Sequence, residues 1–131
     1  MSWFLDVNAL VALAHQGHAD HRRMISWYAS LIDSEATIKT CSITEIGFVR
    51  VSIQAGFERN APDAVETLTG LKQSSQILFQ FISDPLEADG LPDYVLGSKQ
   101  VTDGHLLALA QDSSMQLATL DKAIPRAYCI P

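Results

Sequence analysis

The stretch FLDVNALVAL, residues 4–13, decides how the chain is read. An acid, Asp6, stands between two apolar segments, and Asn8 follows it by two. SWFLDV (2–7) reads as a short buried strand and NALVALA (8–14) as a helix. An ionised carboxylate at the seam of two buried elements is costly unless it is paired or bound. Asp6 therefore has a structural task at the helix start, a chemical task, or both.

Working outward, HADHRRMISWYASLIDS (18–34) predicts a longer helix, with Met24, Trp27, Tyr28, Leu31 and Ile32 at helical spacing. TIKTCS (37–42) reads as a strand. ITEIGFVRVSIQ (43–54) follows directly as a helix, despite its β-branched residues, because Ile46, Val49, Arg50 and Ile53 recur at three or four. Pro62 suits the first turn of a helix running to about Ser74. ILFQFI (77–82) is a further strand, followed by the polar connection SDPLEADGLPD (83–93). VTDGHLLALAQDS (101–113) predicts a helix starting near Thr102 or Asp103, with Leu106, Leu107 and Ala110 on its apolar face. QLATL (116–120) and AYCI (127–130) read as the last strands. Strands alternating with helices predict an α/β fold with a mainly parallel sheet. In such sheets functional sites lie outside the carboxyl ends of the strands.

A chain of 131 residues, 47% hydrophobic and 18% charged, fits one globular domain over 1–131. The net charge of −6 argues against a broad basic surface for nucleic acid, but not against an enzyme whose acids hold metal ions. No apolar run approaches the length of a membrane span, and the N-terminus shows no secretory signal. Cys41 and Cys129 read as free thiols, which suits a reducing cytoplasm.

The opening acid has company. Asp6 ends the first strand, Glu45 lies in the first turn after the second, Asp103 starts the late helix, and Asp121 follows QLATL. Each has apolar flanks, and a parallel sheet brings all four positions to one edge. A single acid at such a place is ordinarily a helix cap or turn former. Four carboxylates together would repel one another and take up protons, unless a hard divalent cation offset their charge. Mg²⁺ and Mn²⁺ prefer oxygen ligands, and a metal so held can activate water and stabilise the charge on a phosphodiester.

With LDVNALVALAH (5–15), CSITEIGFVRV (41–51), VTDGHLLALA (101–110) and LATLDKAI (117–124) in this order, the chain resembles the PIN-domain ribonucleases, and in particular the VapC-type toxins of toxin–antitoxin pairs. The resemblance spans nearly the whole chain and implies a three-layer α/β/α sandwich with a central, mainly parallel sheet. It implies Mg²⁺- or Mn²⁺-dependent endoribonuclease activity, with 5′-phosphate and 3′-hydroxyl products. It places Asp6, Glu45, Asp103 and Asp121 as the catalytic, metal-holding quartet. Asn8 matches a supporting polar residue and Thr119 a second hydrogen-bonding group. Gly104 and His105 depart from the Ala and aromatic residue that ordinarily follow the TD pair. The implied partners are an RNA substrate, a VapB-type antitoxin and a second copy of the chain.

Arg22, Arg23, Arg50 and His105 are candidates for substrate contact; solvated helix charges or local ion pairs are the plainer reading of the arginines. His15, His18 and His21 stand three apart, a poor zinc spacing that suits the mouth of a site or a helix start better. Trp27 and Tyr28 read as core or interface residues. A haloacid-dehalogenase-type phosphotransferase needs a second Asp where Asn8 stands. A structure-specific DNA nuclease would usually add DNA-binding elements for which this compact chain has no room. The non-enzyme alternative is a degenerate PIN domain that binds RNA or protein without cutting; keeping all four acids argues against it.

Overall fold

The computed structural model describes residues 1–131. The elements are β1 (Ser2–Leu5), α1 (Val7–Ala14), α2 (His21–Leu31), β2 (Thr37–Thr40), α3 (Ser42–Gln54), α4 (Ala61–Ser74), β3 (Leu78–Phe81), α5 (Val101–Asp112), β4 (Gln116–Thr119) and β5 (Tyr128–Cys129). Short 3₁₀ turns lie at Ala88–Gly90 and Ser98–Gln100. The strands form one sheet in the order β3-β2-β1-β4-β5, every pair parallel. In the centre, Phe4 is opposite Lys39 on one side and Leu117 on the other.

Strand alternation splits the core into two layers. Trp3, Leu5, Ile38 and Ala118 pack with α1–α4 on one face, where Met24, Trp27, Phe48 and Leu68 are buried. Phe4 and Leu117 point the other way, onto Leu106, Leu107, Leu109 and Ala110 of α5. The result is the α/β/α sandwich that the family resemblance implied. Trp27 is a core residue, edge-on to Trp3 with ring centroids 5.4 Å apart. α1 and α3 approach closely because Gly47 lacks a side chain; a Cβ there would lie 2.6 Å from Cγ2 of Val7.

The chain winds from β1 out to β3 and then returns to the other side of β1 as β4. The strand order therefore reverses between β1 and β4, which opens a crevice at their carboxyl ends. Because α5 runs back toward the start of β4, its N-terminus lies at this same edge.

Several boundaries differ from the sequence reading, with local causes. The helix expected over 18–34 covers only His21–Leu31. At its front, the Nδ1 of His18 accepts the Asp20 N–H at 2.9 Å and forms a separate turn. At its back, Asp33 and Glu35 take positive φ of 67° and 61°. The late helix starts at Val101, so Asp103 lies within its first turn and does not cap it. β3 is an edge strand whose Leu78 and Phe81 are exposed, and β5 is only two residues long.

Candidate active site

Asp6 is buried and does two things at once. It directly follows β1 and, with extended backbone, caps α1: its Oδ1 accepts the Ala9 N–H at 2.9 Å. Its Oδ2 accepts from the Thr119 hydroxyl at the end of β4. Thr119 in turn accepts the Asp121 N–H at 3.0 Å, and Asp121 Oδ1 accepts the Ala123 N–H at 2.8 Å. One buried hydroxyl thus fixes two of the expected acids across the β1–β4 crevice.

Asp6, Asn8, Arg50, Thr102, Asp103 and Asp121 line one cavity of about 290 Å³. Burial pushes the Asp6 carboxyl up to about 6, and the charges of Asp103 and Asp121 push the same way against the hydrogen bonds from Thr119 and Ala9. Burial and the nearby Asp121 also raise Asp103 above the usual carboxylate range. Three carboxylates and one cation, Arg50, line the cavity, so its lining carries an excess of acidic groups.

Glu45, the fourth expected acid, is placed differently from the three aspartates. It lies at the right edge of the sheet, in the first turn of α3, but does not line this cavity. Its Oε2 accepts from Lys72 Nζ at 2.7 Å and from Thr40 Oγ1 at 2.6 Å. No three His, Cys, Asp or Glu side chains form a ready-made metal cage. The three aspartates nevertheless fit a hard cation, since they supply carboxylate oxygens and outnumber the one cation of the lining, Arg50. Mg²⁺ keeps several waters and takes only one or two carboxylates, so a closed cage is not its usual site.

The supporting candidates divide. Asn8 lines the cavity, and its Oδ1 faces His18 Nε2 at 3.2 Å. Since His18 Nδ1 accepts from Asp20, Nε2 carries the proton and the Asn8 amide NH₂ stays available. Arg50 is exposed on the rim, with Gln54 Oε1 3.5 Å away. Arg22 is exposed on α2. Arg23 is not a free phosphate ligand: Nε and Nη2 donate to the Ile130 carbonyl at 3.0 and 2.5 Å, tying α2 to the residue that follows β5. His105 likewise turns to Asp84, its ring nitrogen bonded to Oδ2 and its side chain largely buried.

The histidine series makes no common site. His15 is buried between the rings of Phe48 and Phe57 and contacts Val11 O at 2.9 Å and Glu58 Oε2 at 2.8 Å. His21 donates from Nδ1 to Ala12 O at 2.8 Å. These contacts fasten the α1–α2 turn and the end of α3.

The chain is 35% identical to Ribonuclease VapC38 of Mycobacterium tuberculosis, over 92% of this chain and 85% of that protein. The chain belongs to the VapC ribonuclease family. Ribonuclease VapC29 of the same organism is 32% identical over 98% of this chain and 92% of its own length. No protein-family model matches the sequence. Among solved structures, VapC20 of M. tuberculosis, a sarcin–ricin loop cleaving toxin, superposes with a TM-score of 0.64 at 16% identity, covering 92% of this chain and 91% of that one. VapBC2 from Rickettsia felis, solved bound to a DNA fragment from its promoter, gives 0.62 at 17% identity, covering 98% and 97%. These structural likenesses establish the fold.

For a VapC chain, the sequence motifs name the three cavity aspartates and Thr119, but not Lys72, Tyr94 or Asp84, which the fold brings against Glu45, Gly104 and His105. Lys72 is in the last turn of α4, outside every quoted motif. Asp84 lies in the polar connection after β3, with no motif to mark it. Tyr94, in the same loop, has a buried hydroxyl with no partner, which reaches to 3.6 Å from where a Cβ on Gly104 would stand. The unusual Gly-His pair was the one local signal: Val95 occupies the space beside Gly104, and Asp84 binds His105.

Proposed function

We propose that this chain is the toxin of a toxin–antitoxin pair, acting as a Mg²⁺- or Mn²⁺-dependent endoribonuclease. The observation that carries the reading is the meeting of Asp6, Asp103 and Asp121 around one cavity at the β1–β4 switch point. Family membership supplies the reaction class. These three aspartates would hold the cation. When bound, it supplies the positive charge that lowers the pKa of water and neutralises a phosphodiester.

The chain's own groups do the rest. Thr119 fixes Asp6 and the turn at Asp121, so the aspartates keep their geometry as charge enters the site. Asn8 offers amide N–H groups into the cavity, and Arg50 on its rim meets the RNA backbone, with Arg22 as a second surface cation. Hydrolysis forms a bond from water oxygen to phosphorus and breaks the P–O3′ bond. The products carry a 5′-phosphate and a 3′-hydroxyl.

A VapB-type antitoxin and a second copy of the chain are the proposed protein partners. Support comes from Ile43, Ile46 and Val101, apolar and exposed close to the site. The proposed location is the cytoplasm, which suits an RNA substrate and two free thiols. No helix is long and apolar enough to cross a membrane.

Purified wild type and Asp6→Asn, incubated with total RNA and Mn²⁺ and then mapped for new 5′-phosphate ends, test the reading. Discrete ends with wild type, lost in the variant and on chelation, are expected. Cleavage that persists in Asp6→Asn, or no cleavage by wild type, overturns it.

A further inference from the structure

Lys72 is the one cation that the fold places directly on an expected catalytic acid. Its ammonium and the Thr40 hydroxyl both use Oε2 of Glu45, at 2.7 and 2.6 Å, while Oε1 makes no hydrogen bond. The pair is sheltered, with side chains 29% and 22% exposed. Lys72 arrives from α4, 27 positions away in sequence, and makes no other ion pair.

We propose that Lys72 is a positioning residue for the reaction proposed above, on which this inference rests: it holds Glu45 by one oxygen, outside the inner shell of a cation bound to the three aspartates. Two consequences follow from charge and geometry. First, the ammonium offsets the charge of Glu45 and repels a divalent ion, so it lowers the site's affinity. Second, Lys72 adds to Thr40 a second bond on Oε2, fixing the carboxylate in two directions and leaving Oε1 in a fixed place to orient water, which speeds the chemical step. Lys72 therefore weakens metal binding and strengthens catalysis. A merely structural lysine would move both in the same direction.

The test titrates Mn²⁺ into the full chain, reading free Mn²⁺ by electron paramagnetic resonance, beside RNA cleavage. Wild type is compared with Lys72→Met, Lys72→Gln and Lys72→Arg, and melting without metal checks that each is folded. Lys72→Met is expected to bind Mn²⁺ about tenfold more tightly and to cleave about tenfold or more slowly. Lys72→Gln, which removes the charge but keeps a donor, is expected to bind tightly and retain most cleavage. Lys72→Arg is expected to resemble wild type in both, and its agreement keeps the test valid if Lys72→Met does not fold. Folded charge-removing variants with unchanged or weaker Mn²⁺ binding overturn the role of Lys72 alone. Wild type that binds no Mn²⁺ overturns the proposed function and this inference with it.

Discussion

The Thr119 hydroxyl donates to Oδ2 of Asp6, joining the ends of two adjacent parallel strands 113 residues apart in sequence. The same hydroxyl oxygen accepts the Asp121 N–H. Thr119→Val removes both bonds inside a buried site while preserving shape. The expected loss is about 1–3 kcal/mol of stability, together with RNA cleavage. Thr119→Ser should restore most of both. Thermal melting and RNA cleavage check the pair.

The raised Asp6 carboxyl gives the metal-free protein a definite pH dependence. The folded state holds the proton with a pKa of about 6, against 3.8 when unfolded. The stabilisation is therefore complete below about pH 4 and is lost as pH rises through about 6. The difference corresponds to about 3 kcal/mol. Asp103 shifts in the same direction and adds to the slope. Denaturant melts of wild type and Asp6→Asn without metal, from pH 4 to 7.5, should diverge, with the variant relatively more stable at the upper end. With Mn²⁺ present the wild type should regain stability above pH 6 and the variant much less. Parallel pH curves without metal would show that Asp6 is not desolvated as described.

Arg50 and Arg23 separate substrate contact from structural support. Arg50→Gln should weaken RNA binding and reduce the slope of log affinity against log salt by about one. Arg23→Gln should leave that slope unchanged and lower the melting temperature, because the Ile130 carbonyl loses its donor. Filter binding at several salt concentrations, using the Asp6→Asn background to prevent cleavage, measures both.

Gly104 is fixed by its neighbour. A Cβ at this position would sit 2.2 Å from Cγ2 of Val95, too close without movement of the loop before α5. Gly104→Ala should cost about 1–3 kcal/mol. Val95→Ala in the same chain should return part of that loss, so the double variant should be more stable than additivity predicts. Denaturant midpoints of the three variants decide it.

Some contacts could be read from the chain itself. Asp6 caps α1 through Oδ1 and also lines the cavity. Helix capping is local, and the Ala9 N–H lies three residues away, so sequence could place it. The departure at Gly104 and His105 was visible too, but its partners Val95 and Asp84 were not. A glycine signals a close approach without naming what approaches.

The sequence by itself determined the α/β alternation, the parallel sheet, the edge on which the acids lie and the family. These follow from periodicities of two and 3.6 residues and from motifs a few residues long, all of them local. Tertiary structure alone decided how individual charges are spent. Glu45 binds Lys72 across 27 residues, His15 binds Glu58 across 43, and Arg23 binds the Ile130 carbonyl across 107. Each pair arises where packed elements bring distant side chains within a few ångströms, and no local pattern encodes that meeting. Three aspartates line the cavity, while the fourth expected acid lies outside its lining and pairs with a lysine.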